Sequence, residues 1–257
     1  MENVNVNKIC WNITEKCNRK CKHCFRFIDV KELSFEDNIK ILMKLNEMET
    51  KMITWTGGEA TLYPNIELLI KKAHELGINN NLITNGTLLT PEIFDNKFST
   101  LDSITFSLDF VDDEDNISFG RGENYYKNLK KMIKYINKKY PNIKIKINTV
   151  VLRDNKEKLK EIYDAISEFK LSKWKLIKFV SFRGKAYKNK DRYSTTTDEF
   201  TRRVEEVRKL HDNSFEIEVV TTQDLETTHV MIKPNGDLVK TIDGVDNFLC
   251  NLLEEGE

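Results

Sequence analysis

The sequence predicts an α/β fold, an open barrel of six strand–helix units with a small C-terminal α+β extension, and three observations predict it. Hydrophobic periodicity alternates between strand-like and helix-like blocks along the first 185 residues. Those blocks come as one strand and then one helix, which argues a parallel sheet with right-handed crossovers. Every unusual motif falls at the C-terminal end of a strand, where such barrels keep their reactive groups. At 257 residues and 39% hydrophobic content, the chain can bury a core of that size.

The elements follow in order. Lys8–Ile13 reads as the first strand and runs into a cysteine-rich loop. Ser34 is a helix N-cap, with Asp37 three residues on, ahead of an amphipathic stripe of Ile39, Leu42, Met43 and Leu45. Met52–Thr56 is the second strand, ending in Gly57-Gly58-Glu59, and a helix from Pro64 to Leu76 stops at Gly77. Asn81–Thr84 ends in Asn85-Gly86, and Pro91 opens a short helix. Ser103–Leu108 ends in Asp109, and Tyr125–Tyr140 is a long helix closed by Pro141. Ile143–Leu152, a helix over Lys156–Phe169, and Trp174–Phe182 complete a partial (β/α)6 TIM barrel over residues 1–185.

Residues 186–257 differ. A helix at Asp198–His211 precedes strand-like Phe215–Val220 and Thr228–Lys233, and a Pro234-Asn235-Gly236-Asp237 turn leads into Leu238–Thr241. This stretch reads as an antiparallel addition that closes the barrel mouth or its side.

Charge excludes some partners. Lysine plus arginine equals aspartate plus glutamate at 41 each, so no global field recruits nucleic acid or an anionic membrane. No apolar run approaches a membrane span, and the N-terminus lacks the plan of a signal peptide. The cysteines show no obvious pairing, which suits a reducing compartment, the cytoplasm.

The chain is organised around Cys17, Cys21 and Cys24, spaced CxxxCxxC after the first strand. Three is odd, and cysteines this close cannot pair without strain, so a disulfide reading is poor. Zinc wants four ligands and would need His23 or a distant partner. A [4Fe–4S] cluster on three cysteines leaves one iron open to a substrate or cofactor.

CxxxCxxC after strand one, with Gly57-Gly58-Glu59 after strand two, resembles the radical S-adenosylmethionine superfamily. The resemblance implies that Cys17, Cys21 and Cys24 hold a [4Fe–4S] cluster whose open iron chelates S-adenosylmethionine. One-electron reduction, from a donor such as flavodoxin or ferredoxin, then yields methionine and a 5′-deoxyadenosyl radical that abstracts hydrogen from substrate. Gly57 and Gly58 would let carbonyls approach the methionine ammonium, and Glu59 would add a negative partner. Asn85 and Ser107 end strands three and four, within reach of ribose or carboxylate oxygens. Phe25, just after the last cysteine, would pack on adenine.

A nearer resemblance covers the middle of the chain. Ser107-Leu108-Asp109, Gly120-Arg121-Gly122, Lys146-Ile147-Asn148 and Trp174-Lys175 look like the viperin branch, antiviral nucleotide-modifying enzymes. Arg121 would clamp the cofactor carboxylate. Lys146 and Asn148 share one face of a strand, pointing into the barrel, and Lys175 with Lys173 adds cations from the next strand. Lysines buried there without carboxylate partners suggest a nucleoside triphosphate. The resemblance implies abstraction of the ribose C4′ hydrogen and loss of the 3′-hydroxyl as water, giving a 3′-deoxy-3′,4′-didehydro nucleotide. Lys146, Asn148 and His229 are the candidate catalytic residues.

Departures from that branch keep other readings open. Ala60 stands where viperins usually have proline, Met52 where they have a lysine, and His229 where a tyrosine covers the nucleotide. The Pro234–Asp237 turn and the Asn251–Gly256 ending are similar to the tails of radical enzymes that modify ribosomal peptides. Only Cys250 remains there for an auxiliary cluster, and the short N-terminus offers no room for a leader-binding domain. A non-enzymatic metal module using the three cysteines and His23 is the third reading. Cys10 reads as core, Trp11, Trp55 and Trp174 as packing with Trp174 beside the pocket, and Asp112–Asp115 as a solvated loop with a chance of a magnesium contact.

Overall fold

Strand register shows how the outer face of the barrel is sealed. In the computed structural model, which describes residues 6–228 and 230–254, β1 (Lys8–Thr14), β2 (Met52–Gly57), β3 (Asn79–Thr84), β4 (Ser103–Ser107), β5 (Lys144–Val151) and β6 (Lys173–Lys178) lie side by side in parallel. Period-two alternation divides each strand between two environments. Ile9, Trp11, Ile13, Ile53, Trp55, Ile104, Phe106, Ile145, Ile147 and Trp174 turn outward and are at most 1% exposed. Each fully buried side chain of this kind contributes roughly 1.5–3 kcal/mol. The indoles of Trp11 and Trp55 stack at 5.1 Å. Trp174 donates to Thr149 Oγ1 at 2.9 Å on this outer face, so it packs under helices rather than beside the pocket.

The crossover helices cover that face: α1 (Phe35–Glu47), α2 (Ile66–Glu75), α3 (Pro91–Lys97), α5 (Tyr125–Lys139) and α6 (Leu159–Ile166), with α4 (Asp113–Phe119) ahead of α5. Ser34 caps α1 by accepting from Asp37 N at 3.1 Å, as its position in the sequence predicts. The acidic run is no loop. Asp112 caps α4, and Asp113, Glu114 and Asp115 fill its first turn, where negative charge meets the positive helix end. Asp115 also pairs with Lys158, which removes the case for a magnesium contact.

Beyond β6 the fold departs from expectation. β6 stops at Lys178 rather than Phe182, because Phe179 leaves the sheet for a small second core with Phe110, Phe119 and Tyr193. Two short helices, α7 (Gly184–Lys188) and α8 (Lys190–Tyr193), and then α9 (Thr197–Arg208) lead to β7 (Glu216–Val220). β7 pairs parallel with β6, not antiparallel, since α9 is one more crossover. After α10 (Thr222–Thr228), β8 (Val230–Ile232) pairs parallel with β1, and only β9 (Asp237–Ile242) and β10 (Val245–Asn251) run antiparallel. The ten-stranded order β10-β9-β8-β1-β2-β3-β4-β5-β6-β7 leaves the barrel open between β7 and β10. No helix among the described residues is long and apolar enough to cross a membrane.

Candidate active site

A cavity of about 350 Å³ opens at the C-terminal ends of the strands, and the inward-facing half of each strand feeds it. From β1 come Cys10 and Asn12, from β2 Thr54 and Thr56, from β4 Ser107, from β5 Asn148 and Val150, and from β6 Lys175 and Ile177. Cys10 is thus not core. It shares its face with Asn12, and burial pushes its thiol up to about 11. Asn12 is also buried, and its Nδ2 has no protein partner.

Cys17, Cys21 and Cys24 line the same cavity as free thiols, each raised above the ordinary range first by burial. Their loop is held by main chain. Lys20 N donates to Gly120 O at 3.1 Å, Lys22 N to Phe119 O at 3.2 Å, and Ala186 N to Cys24 O at 3.1 Å. A side chain at Gly120, whose φ is +91°, would meet Lys20 O at 2.6 Å, so this approach requires glycine. Among the described residues no three His, Cys, Asp or Glu side chains converge on a single metal ion. Sulfurs that each bind a different iron stand further apart than ligands of one ion, so three thiol donors without a fourth fit a [4Fe–4S] cluster with an open iron. His23 is not a fourth ligand. It is buried, stacks on Phe119 at 5.0 Å, and has its Nε2 3.7 Å from Asp109. Burial holds its pKa down to about 4, against the pull of Asp109.

Gly57 and Gly58 are demanded by the same loop. A Cβ at Gly58 would lie 2.1 Å from Lys16 O, and one at Gly57 2.3 Å from Thr14 O. Gly58 N and Glu59 N donate to Thr14 O at 2.7 Å and Lys16 O at 2.8 Å, stitching the loop to β2. Glu59 is 2% exposed and accepts from Thr84 Oγ1 at 2.6 Å and Asn85 N at 2.7 Å. It also accepts from Thr61 Oγ1 at 2.8 Å and caps the 3-10 turn that Ala60 opens. Burial pushes its carboxyl up, against these donors. Asn85 donates to Asn18 Oδ1 at 2.9 Å, tying the end of β3 to the cysteine loop.

Arg121 comes with its own anion. Its Nε donates to Asp109 Oδ2 at 3.1 Å, its Nη2 pairs with the same oxygen, and its Nη1 donates to Tyr125 Oη at 3.1 Å. Both partners of the pair are buried. Asp109 in turn accepts from Val150 N at 2.9 Å. Tyr125 Oη donates to the Ser107 carbonyl, leaving the Ser107 side chain on the cavity wall. Phe25 lines the opposite wall, edge-on to Phe182 at 6.3 Å, with Arg183 over its ring.

The lysines depart most from expectation. Lys173 Nζ donates to Glu218 Oε2 at 2.5 Å and meets Glu216 at 3.1 Å, while Lys175 Nζ meets Glu218 Oε1 at 2.9 Å. The premise of lysines without carboxylates therefore fails for two of the three. Lys146 alone has a neutral partner, Ser103 Oγ at 3.1 Å, and burial with its lysine neighbours brings it down to about 8. Lys175 and Asn148 reach the cavity, whereas Lys146 and Lys173 sit one inward position earlier on their strands. His229 lies outside the described residues.

Glu218, Asp109 and Arg183 are the charged groups that reading the sequence left without a role. Only Asp109 carried a signal, its position directly after a strand. Glu218 could be found only once β7 was known to lie beside β6.

The Radical SAM superfamily profile matches residues 11–166 of the chain. A protein of Flammeovirga pacifica named S-adenosylmethionine-dependent nucleotide dehydratase is 31% identical over 98% of the chain and 88% of its own length. One of the same name from Lacinutrix mariniflava is 28% identical over 98% of the chain but only 54% of its length. Among solved structures, Streptococcus suis SuiB bound to precursor peptide SuiA matches with a TM-score of 0.76 at 18% identity, over 96% of the chain and 62% of SuiB. The enzyme anSMEcpe with bound AdoMet matches with a TM-score of 0.72 at 18% identity, over 96% of the chain and 78% of that protein. At such identities these two establish the fold alone.

Proposed function

The chain belongs to the radical SAM superfamily and, within it, to the S-adenosylmethionine-dependent nucleotide dehydratases, and from that premise we propose that it dehydrates a nucleoside triphosphate. It is a radical enzyme that uses a [4Fe–4S] cluster and S-adenosylmethionine. When bound, these supply a 5′-deoxyadenosyl radical to remove one hydrogen atom from substrate. The observation that carries the substrate reading is one cavity, lined at its mouth by Cys17, Cys21 and Cys24 and deeper by Asn148 and Lys175.

Each residue has a physical task under this reading. The three cysteines would hold the cluster. Glu59, buried and fixed by Thr84, Asn85 and Thr61, would take the methionine ammonium, which restores a charge that burial opposes. Asn85 and Ser107 would meet ribose or carboxylate oxygens. Arg121 spends three donor contacts on Asp109 and Tyr125 and would offer the remaining hydrogens to the cofactor carboxylate. Phe25 would cover adenine, and with Phe182 and Leu225 it would exclude water from the radical.

Asn148 and Lys175 would orient the nucleotide, with Lys146 and Lys173 as further cations for its phosphates. The product would be the 3′-deoxy-3′,4′-didehydro nucleotide, a polymerase chain terminator suited to antiviral defence. A one-electron carrier of the flavodoxin or ferredoxin class would reduce the cluster, and five free cysteines suit the cytoplasm.

Anaerobically reconstituted enzyme with S-adenosylmethionine, a reductant and each ribonucleoside triphosphate tests the proposal. One nucleotide should accelerate release of 5′-deoxyadenosine and itself lose one water by mass spectrometry. Cofactor cleavage indifferent to all four would overturn the nucleotide assignment while keeping the radical chemistry.

A further inference from the structure

One carboxylate stands between two of the three lysines on the inner face of β5 and β6. Glu218 turns one oxygen to Lys173 Nζ at 2.5 Å and the other to Lys175 Nζ at 2.9 Å. Its side chain is 30% exposed, half as open as that of Glu216, which also touches Lys173. Lys175 borders the cavity, and Lys173 pairs in register with Lys146, whose ammonium has only a serine hydroxyl. A carboxylate bridging two ammonium groups occupies the place that a phosphate oxygen would take between them. The lysine trio thus has one of its three positive charges cancelled before any ligand arrives.

Resting on the reading that this cavity takes a nucleotide, we infer that Glu218 is a specificity-determining residue: a built-in counter-anion that a terminal phosphate must displace from Lys175 and Lys173, so that longer phosphate chains are favoured over shorter ones. Discrimination here comes from a repulsive element as much as from an attractive one. A chain carrying more charge repels Glu218 more but gains more from three lysines, whereas a short chain meets the carboxylate without reaching all of them. Glu218 also keeps the two ammonium groups together while no ligand is bound, which limits the ordering needed on binding.

The test is calorimetric titration of the cluster-loaded enzyme with inorganic tripolyphosphate and with pyrophosphate. Wild type should favour tripolyphosphate. Glu218→Gln should bind both more tightly and pyrophosphate disproportionately, shrinking the ratio of the two Kd values by about fivefold or more. Glu218→Ala, lacking the amide, should move the ratio the same way, and the nucleotide KM should fall with kcat held.

An unchanged ratio in both variants, with wild type still binding tripolyphosphate and Lys175→Gln still weakening it, overturns the inference alone. Weaker binding of both anions by the Glu218 variants also overturns it, because Glu218 would then be a scaffold for the lysines. No binding by folded wild type or by either Glu218 variant, judged by unchanged melting, overturns the nucleotide reading and this inference with it.

Discussion

The mouth of the barrel and its lysine-lined interior are held by opposite means. At the mouth, main chain meets main chain: glycines 57, 58 and 120 let the cysteine loop lie directly on β2 and on the α4–α5 turn. Deeper in, β5, β6 and β7 meet through charged side chains, Lys146, Lys173, Lys175 and Glu218. Close backbone packing tolerates almost no change, because a single methyl group has nowhere to go. Side-chain charges can be exchanged, screened or titrated. The difference assigns fixed geometry to the cofactor end and adjustable affinity to the substrate end.

Removing a thiol should break the mouth most completely. Cys21→Ser is expected to abolish the brown absorbance of the reconstituted enzyme and all cleavage of S-adenosylmethionine, which iron analysis and product assay would check. A variant that still binds a full complement of iron would contradict the assignment.

Next in size is the buried pair behind the loop. Asp109→Asn strands Arg121 and should cost about 3–5 kcal/mol of stability. Burial alone would raise the Asp109 carboxyl, but the charges of Arg121 and His23 outweigh it and hold the pKa below its ordinary value. The contribution is therefore present above the unfolded carboxylate range and lost as pH falls through the lower folded value. Melting curves of wild type and variant should converge in acid, below about pH 4.

Two glycines sharpen the contrast further. Gly58→Ala would set a methyl 2.1 Å from Lys16 O, whereas Gly77→Ala meets nothing within 4 Å and bears only its positive φ of +75°. Gly77→Ala should cost about 1–2 kcal/mol. Gly58→Ala should cost more, roughly 3 kcal/mol, and should also lower cluster occupancy. Equal losses by denaturant titration would mean that the loop is not pinned where it seats on β2.

The smallest effect belongs to the interior. Lys146→Gln should lower kcat/KM for the nucleotide about tenfold at pH 7, one charge-assisted contact. Lys146 titrates at about 8, held down first by burial and then by Lys173, Lys175 and Lys144. Wild-type kcat/KM should thus fall above pH 8 while the variant stays flat, so the two profiles converge in base. Parallel profiles would place the phosphates elsewhere.

The cofactor end was largely legible as a string of residues. CxxxCxxC and Gly57-Gly58-Glu59 are local motifs, and the reason for both glycines, one loop lying on one strand, is short-range. Asn148 and Lys175 were legible because two residues along a strand return to the same face. What escaped was pairing between distant elements. Asp112–Asp115 looked like a loop, yet Asp112 begins a helix whose last turn carries Gly120 against Lys20. Cys10 looked apolar, yet strand register turns it inward beside Asn12.

The sequence by itself determined the strand–helix rhythm, the cluster ligands and the chemistry they support, because periodicity and short motifs are properties of neighbouring residues. Only the tertiary structure decided that β7 continues the parallel sheet, that Arg121 arrives already paired with Asp109, and that Glu218 stands between two lysines. Each depends on which strand or loop lies beside which. That is set by the packing of the whole chain, and neither charge nor hydrophobic pattern within one segment encodes it.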